Sequence, residues 1–369
     1  MYKTTINIEN QLHKIAVENR EYNELCSTWN LNKKTLEPIL SAIIKDYPHY
    51  SLHDHSHSES ILLNIERLLG NDNIEMLSPT DLWLLLHVSY LHDFGMVILD
   101  SKIHEFWAKA DFQNFLKEQS ESSDEDANKA ANIILNFEND KEKYSVTWPL
   151  EIRCAVTLLI SIYCRWQHAN YSQNYILDID KMWGIDLGHN GLIKKRFISL
   201  LADISAMHTK PFDKIFTLPK ESNGYKNDYM HPRLIACLLR LGDVLDLDNS
   251  RFNQYGEKIF GKMPENSKVH YTKHESTKHV LVTNEIIEVE ADCPTDEIYR
   301  ETRKWYDSLK SEIDNLHLNW NDIAPKGFYY PPKLKPYKIL RNGVEDSHEL
   351  SNLKFSISQN KAFEILGLV

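Results

Sequence analysis

The chain has 369 residues, 42% of them hydrophobic and 26% charged, with a formal net charge of −11. This suits a globular protein of about one to three domains, and its overall charge repels nucleic acid and anionic membrane while leaving room for a local basic groove. The five cysteines, Cys26, Cys154, Cys164, Cys237 and Cys293, form no CxxC pair, which speaks against a cysteine zinc site and for a reducing compartment. Residues 1–20 hold no apolar signal segment, so a cytoplasmic location is expected.

Residues 1–40 read as a peripheral helical extension, with Leu12, Ile15 and Ala16 on one face. A helix is expected from His57. Ile61, Leu62, Ile65, Leu68 and Leu69 recur behind it at helical spacing, so His57 points toward the core that this face buries. Gly70-Asn71-Asp72-Asn73 is expected to end that helix. Ser78-Pro79-Thr80-Asp81 is a cap signal for the longest apolar segment, residues 82–99. His87, His92 and Asp93 interrupt this segment, which therefore reads as a core helix rather than a membrane span, with Gly95 as its stop. Residues 101–150 read as an insertion of two helices around a solvated acidic stretch, 118–126.

A helix over 152–167 carries Arg165 and leads to His168, three positions on. Another over 196–207 ends at His208, followed by Thr209-Lys210. A third over 234–245 carries Arg240 and Asp243, with Asp246 three positions beyond. After Asn253 the texture changes. Residues 279–283 and 286–291 read as strands around an Asn284-Glu285 turn, 268–273 as a third strand, and Lys273-His274 as a solvated strand edge. Residues 295–316 return to helix, and Pro325, Pro331, Pro332 and Pro336 mark an extended tail, with a final strand and short helix over 352–366. The expected organisation is a helical extension (1–40), a core (41–253, with the insertion at 101–150), a β segment plus helix (254–316) and a tail (317–369). The fold class is mostly α, a helical bundle with a small β-hairpin/α appendage.

A histidine and an aspartate side by side at the end of a buried helix would cost several kcal/mol if unpaired. A metal ion is the obvious compensation, because imidazole nitrogen and carboxylate oxygen both ligate first-row divalent metals. Five separated segments offer such groups near helix ends: His57, His92-Asp93, His168, His208 and Asp243. Their order, H…HD…H…H…D, resembles the HD-domain metal-dependent phosphohydrolases. Three strings resemble the bacterial HD-CE branch more closely still: His53-x3-His57 followed by Ser-Glu-Ser-Ile, Leu-His-Asp-Phe-Gly-Met, and Leu-Arg-Leu-Gly-Asp-Val-Leu-Asp-Leu-Asp-Asn-Ser-Arg-Phe. The resemblance is strong over residues 45–255 and loose over 256–310.

The resemblance implies that His57, His92, Asp93 and Asp243 hold one divalent metal and that Asp93 bridges to a second held by His168 and His208. Subgroups with a single metal use such histidines for substrate or proton transfer, and the sequence leaves both open. Asp93, His168 and His208 are the implied catalytic residues. A His-rich donor set favours manganese or iron over magnesium, and nickel, cobalt or zinc also serve HD sites. The implied activity is hydrolysis of a phosphate ester in a nucleotide or single-stranded nucleic acid by metal-activated water. Met96 replaces the lysine of the cyclic-dinucleotide phosphodiesterase branch and its Gly-Tyr-Pro signature is missing, which speaks against cyclic di-GMP.

His53, Arg165, Lys210, Arg240 and Arg251 stand beside the expected ligands and are the candidate substrate-binding groups, arginine by its two-pronged donor geometry. Arg240 and Arg251 have an alternative as ion-pair partners of Asp243, Asp246 or Asp248. His87, His104, His189 and His317 fall outside the motif and read as ordinary hydrogen-bonded core histidines. A second functional class also fits, a non-catalytic metal- or nucleotide-binding module that regulates a GHKL-class ATPase in a bacterial stress or antiphage system. The string over 354–366 resembles a junction preceding such an ATPase, so a piece of a longer protein or a stand-alone partner is expected, with homo-oligomerisation open.

Overall fold

The computed structural model describes residues 4–48, 50, 53–137, 148–247, 263–328 and 330–345. Arg251, Asp248 and the 352–366 segment lie outside these residues, as does the side chain of His104. The fold is mostly α. Its helices are α1 (Asn7–Glu18), α2 (Asn23–Leu40), α3 (His55–Met76), α4 (Pro79–Leu91), α5 (Asp100–Ala108), α6 (Ala110–Ser120), α7 (Glu125–Leu135), α8 (Leu150–Arg165), α9 (His168–Leu177), α10 (Ile179–Trp183), α11 (Lys195–Ser205), α12 (Pro232–Val244), α13 (Glu265–Ser276) and α14 (Asp296–Ile323).

Helix α4 is the axis of the bundle. Every residue from Thr80 to Leu91 is buried, as expected for a helix that is apolar all round, and α1, α2, α3, α11 and α12 pack against it. Its start is a complete capping box. The Ser78 hydroxyl accepts the Asp81 N–H at 3.0 Å, and the Asp81 carboxylate accepts the Ser78 N–H at 3.4 Å. Asp81 also accepts the backbone N–H and the Nδ1–H of His231, both at 2.7 Å. The start of α4 is thereby tied to the start of α12. Twelve residues separate Asp81 from Asp93 and twelve separate His231 from Asp243, so two parallel helices of equal reach deliver both aspartates to the same end of the bundle.

Two local expectations are corrected. Residues 4–40 are not peripheral: Leu12, Trp29 and Leu36 are fully buried in the common core, and Asn32 of α2 hydrogen-bonds the ring of His87 at 3.0 Å. Gly70 breaks the helix where expected, at φ 65° and ψ 169°, and a second helical segment, counted here with α3, follows to Met76. Among the described residues the insertion holds three helices (α5, α6, α7) rather than two, and its acidic stretch, solvated as expected, also makes structural contacts. Asp124 caps α7 and accepts the Asn266 amide at 2.6 Å, while Asp126 accepts the Glu265 N–H at 2.9 Å, holding the start of α13.

The strands β1 (Ser222–Asn223) and β2 (Tyr229–Met230) form a small antiparallel pair. The other sheet is in the C-terminal part. Strands β3 (Thr277–Val282) and β4 (Ile286–Cys293) form the expected hairpin, and β4 also pairs in parallel with β5 (Lys333–Leu334) and β6 (Lys338–Arg341). Strand β7 (Val344–Glu345) closes against β6. The expected strand over 268–273 is helix α13 instead: its valine, tyrosine and threonine favour a strand, but packing against α14 and β4 decides otherwise. Lys273 and His274 are buried on that helix rather than on a solvated edge. Helix α14 outruns the expected 295–316 because Leu309, Ile313, Leu316, Trp320 and Ile323 continue one apolar face. The tail expected to be extended from 317 begins as helix and then supplies β5, β6 and β7. Among the described residues no single helix is long and apolar enough to cross a membrane.

Glu66 of α3 accepts the N–H of Ile8 at 2.8 Å and so caps the start of α1. Burial pushes its carboxyl up to about 7. The unfolded chain therefore releases this proton at lower pH than the folded one, and stability is lost as pH rises through the window from the ordinary carboxylate value to about 7. Glu66→Gln keeps an acceptor for Ile8 and removes the charge. It is expected to raise the melting temperature at pH 8 and to change it little at pH 5, as read by thermal denaturation; an equal shift at both values would contradict this assignment.

Candidate metal centre

Four helix ends and one loop meet at the end of α4. His57 lies in the first turn of α3, and His92 and Asp93 follow α4 directly. His168 opens α9 after the break at Trp166-Gln167, His208 closes the turn that follows α11, and Asp243 is in the last turn of α12. Gly95 sets how closely these pieces approach. A Cβ there would lie 2.1 Å from the His168 carbonyl oxygen and 2.5 Å from the Ser172 nitrogen, so only glycine lets α9 reach the turn after Asp93. Ser172 completes that joint, accepting the Gly95 N–H at 2.7 Å and donating to the His92 carbonyl at 2.5 Å. The sequence suggests a helix stop at Gly95; the structure makes it the contact that brings in His168.

The donors fall into two groups, His57, His92 and Asp243 in one and Asp93, His168 and His208 in the other, with the ligand atoms of each group within 4.8 Å of one another. Asp93 touches both. Its Oδ2 lies 3.2 Å from His92 Nε2 and 3.5 Å from His57 Nε2, whereas its Oδ1 lies 3.3 Å from His168 Nε2 and 3.7 Å from His208 Nε2. Asp243 Oδ1 is 3.5 Å from His57 Nε2. Two atoms that each sit about 2.1 Å from one ion lie roughly 3.0–3.4 Å apart at tetrahedral or octahedral angles; the Asp93 separations from His92 and His168 fall in that range, and those involving His57 and His208 exceed it by a few tenths of an ångström.

The ring hydrogen bonds agree. His92, His168 and His208 each turn Nδ1 to the carbonyl three residues back, at 3.1, 2.7 and 2.6 Å, and His57 turns Nδ1 to the Asp246 carboxylate at 2.6 Å. These oxygens only accept, so each Nδ1 carries the proton and each Nε2 presents a lone pair to the cluster. His57 Nε2 and His92 Nε2 are buried and make no hydrogen bond. His168 Nε2 and His208 Nε2 are 2.7 Å apart, a distance at which two bare lone pairs repel unless a proton or a cation lies with them. Among the described residues no lysine or arginine pairs with Asp93, which is buried. The donor set fits divalent metal.

Charge within the protein-only cluster is uneven. Burial would raise the Asp93 carboxyl, but His92, His168 and His57 outweigh it and hold it well below the carboxylate range. Burial opposes a charge on His92 and on His168, yet Asp93 beside each, with Asp243 beyond, raises both. Burial, together with positive charge on His92 and His168, pushes His208 down to about 3.

The other candidates divide. His53 stands at the rim, its Nε2 4.0 Å from Asp93 Oδ2 and its ring 5.3 Å from that of His57. Arg165 lies over the Tyr50 ring at 4.7 Å, on a neighbouring cavity wall. The donors of Arg240 are engaged within the protein, though not by Asp243 or Asp246. It forks onto Glu312 of α14, with its Nε 2.9 Å from Oε2, and donates to the carbonyls of Met207 and Lys210 at 2.5 and 2.6 Å, which holds the loop carrying His208. Lys210 enters that contact through its carbonyl. His87, His189 and His317 are ordinary hydrogen-bonded histidines, bonded to Trp83 and Asn32, to Asn32, and to the Pro332 carbonyl respectively. Sequence reasoning missed Asp246 as the group that orients His57; its signal was the Asp243-x2-Asp246 spacing. Ser172 left no such signal.

A bundle of this kind, with His and Asp donors converging at the end of a buried helix, defines an HD domain. The chain belongs to the HD-CE family, whose profile matches residues 47–315. No curated protein and no solved structure matches it.

Asp246→Asn keeps an acceptor for His57 but removes the carboxylate charge that holds its ring at 2.6 Å. It is expected to weaken metal binding about 10–100-fold with the fold intact, read by chelator competition. Arg240→Met leaves the half-buried Glu312 and the carbonyls of Met207 and Lys210 without their donor and is expected to cost about 1–3 kcal/mol of stability, measured by denaturant unfolding.

Proposed function

We propose that this chain is a metal-dependent phosphohydrolase that cleaves a phosphate ester bond of a nucleotide or nucleic acid. The observation that carries this reading is the division of Asp93, one carboxylate oxygen facing His57 and His92, the other facing His168 and His208. One carboxylate placed in this way can serve two ions at once, and His57, His92, Asp93 and Asp243 would hold the first while Asp93, His168 and His208 would hold the second. A bound divalent metal would lower the pKa of water and neutralise charge on phosphoryl oxygens. Nitrogen donors outnumber carboxylates, which favours manganese or iron over magnesium, with nickel, cobalt and zinc as further candidates.

The chain's own residues supply orientation and protons. Asp246 and the carbonyls of Ser89, Arg165 and Ser205 fix the four rings with Nε2 turned inward. With one ion at the first group, His168 Nε2 and His208 Nε2, 2.7 Å apart, would share a proton and could pass it to a leaving group. With two ions both rings are ligands instead. His53 at the rim is placed to meet substrate. A bacterial stress or antiphage setting with a GHKL-class ATPase partner rests on the family resemblance alone.

Elemental analysis of the purified protein, followed by assays on nucleoside triphosphates, nucleoside monophosphates, cyclic nucleotides and single-stranded oligonucleotides with the metal found, tests this. Bound metal is expected, with turnover abolished by Asp93→Ala. Tightly held metal without turnover on any of these substrates would favour the regulatory-module reading, and no metal after manganese resupply would sink the ligand assignment itself.

A further inference from the structure

The six donors do not share one set of supports. In the first group His57 is oriented by Asp246 and His92 by the Ser89 carbonyl of its own helix. Asp243 rides on the last turn of α12, which the Asp81–His231 contact ties to α4. In the second group Asp93 follows α4 directly, and Ser172 and Gly95 hold the start of α9, with His168, against it. His208 is the outlying donor. It stands in the turn after α11, and its Nε2 is 3.7 Å from Asp93 Oδ1, where His168 Nε2 is 3.3 Å away.

One guanidinium grips that turn on both sides of His208. A single nitrogen of Arg240, Nη1, donates to the carbonyls of Met207 and Lys210 at 2.5 and 2.6 Å. The other two nitrogens go to Glu312 of α14, Nε to Oε2 at 2.9 Å and Nη2 to Oε1. The guanidinium also lies over the Phe212 ring, 5.9 Å from its centre. A guanidinium is a rigid plane. Two bonds to one carboxylate fix that plane, and the plane then fixes where the two carbonyls lie. Without the carboxylate the long arginine side chain regains rotamer freedom, and the His208 turn loses its frame. Metal–nitrogen bonds are short and narrowly defined, about 2.0–2.1 Å, so a displacement of a few tenths of an ångström decides whether the His208 ring reaches an ion. No support of the first group passes through Glu312.

We propose that Glu312, acting through Arg240, is a positioning residue for the second cation and not for the first. It sets how tightly Asp93, His168 and His208 hold an ion, so the two positions fill in order, the first group before the second, and α14 decides whether the centre carries one ion or two. The proposal deepens the reading above and rests on its two-ion arrangement. Arg240, one turn before Asp243 on α12, joins the two positions in sequence, while its partner on the C-terminal appendage keeps their affinities separate.

The test is titration of manganese into the metal-free protein, with the free ion counted by paramagnetic resonance, a readout that needs no substrate. The wild-type chain is expected to take up two ions with two distinct dissociation constants. Glu312→Gln keeps the size of the side chain and removes its charge. It should weaken the second ion at least about tenfold, the low end for losing a group that supports a ligand, and leave the first within about twofold. Arg240→Lys keeps a cation opposite Glu312 but not the fork, and should act in the same way. Leu316→Ala is the control for a merely structural role. Leu316 lies on α14 beside Leu238 and Leu241 of α12, so its loss thins the same seam without touching Arg240. It should lower the melting temperature and leave both constants unchanged, and Leu316→Val takes its place if the alanine variant does not fold. Wild-type affinity for the second ion in both Glu312→Gln and Arg240→Lys would overturn the proposal. So would equal weakening of both ions, or loss of the second ion in the Leu316 variant. A wild-type chain that binds a single ion would overturn it too, and would leave a one-metal hydrolase standing. Two ions, the second lost in the variants, in a protein that hydrolyses nothing would uphold the proposal and sink the hydrolase.

Discussion

A carboxylate held out of water at the end of an apolar helix is the constraint from which the rest of the site follows. Asp93 is buried at the foot of α4 with no lysine or arginine beside it among the described residues. A lone carboxylate there would simply take up a proton. What keeps it charged is a ring of imidazoles, and those imidazoles are useful only if each turns the same nitrogen inward. Three backbone carbonyls and the Asp246 carboxylate impose that orientation. The hydrogen bonds at the backs of the rings therefore decide the chemistry at their fronts.

Convergence of residues as distant as His57 and Asp243 needs rigid elements that meet at a set distance. The Asp81–His231 contact starts α4 and α12 together, and their equal lengths end them together. Gly95 and Ser172 bring α9 against the turn after α4. Arg240, a substrate candidate by sequence, binds instead the carbonyls beside His208 and the carboxylate of Glu312. It positions a ligand rather than touching what the ligand works on, and it links the metal centre to α14.

That link gives the C-terminal appendage a role. Helix α14 carries Glu312 and packs against α12, α13, β4 and β6. Helix α13, held at its start by Asp124 and Asp126 of the insertion, lines with His270 a cavity whose other walls include Tyr50 and Arg165. The insertion and the appendage thus shape the surroundings of the metal centre, where one HD-type site would be distinguished from another in what it admits.

The helical class, the core placement of α4 and the β3–β4 hairpin were legible in the sequence because each depends on local periodicity or a cap signal, and the set of clustered donors was legible through the order of five separated segments and the family resemblance that this order carries. His57, His92, Asp93, His168, His208 and Asp243 all stand at one end of the bundle. What the tertiary structure decided was everything that depends on a partner far along the chain. The burial of α1 and α2, the helical state of 265–276, the duty of Arg240 toward Glu312, the orienting part of Asp246, and the close approach that Gly95 permits all depend on neighbours that no local window contains. Side-chain type and spacing specify which groups can ligate or stack. Only packing specifies which carboxylate a given arginine meets.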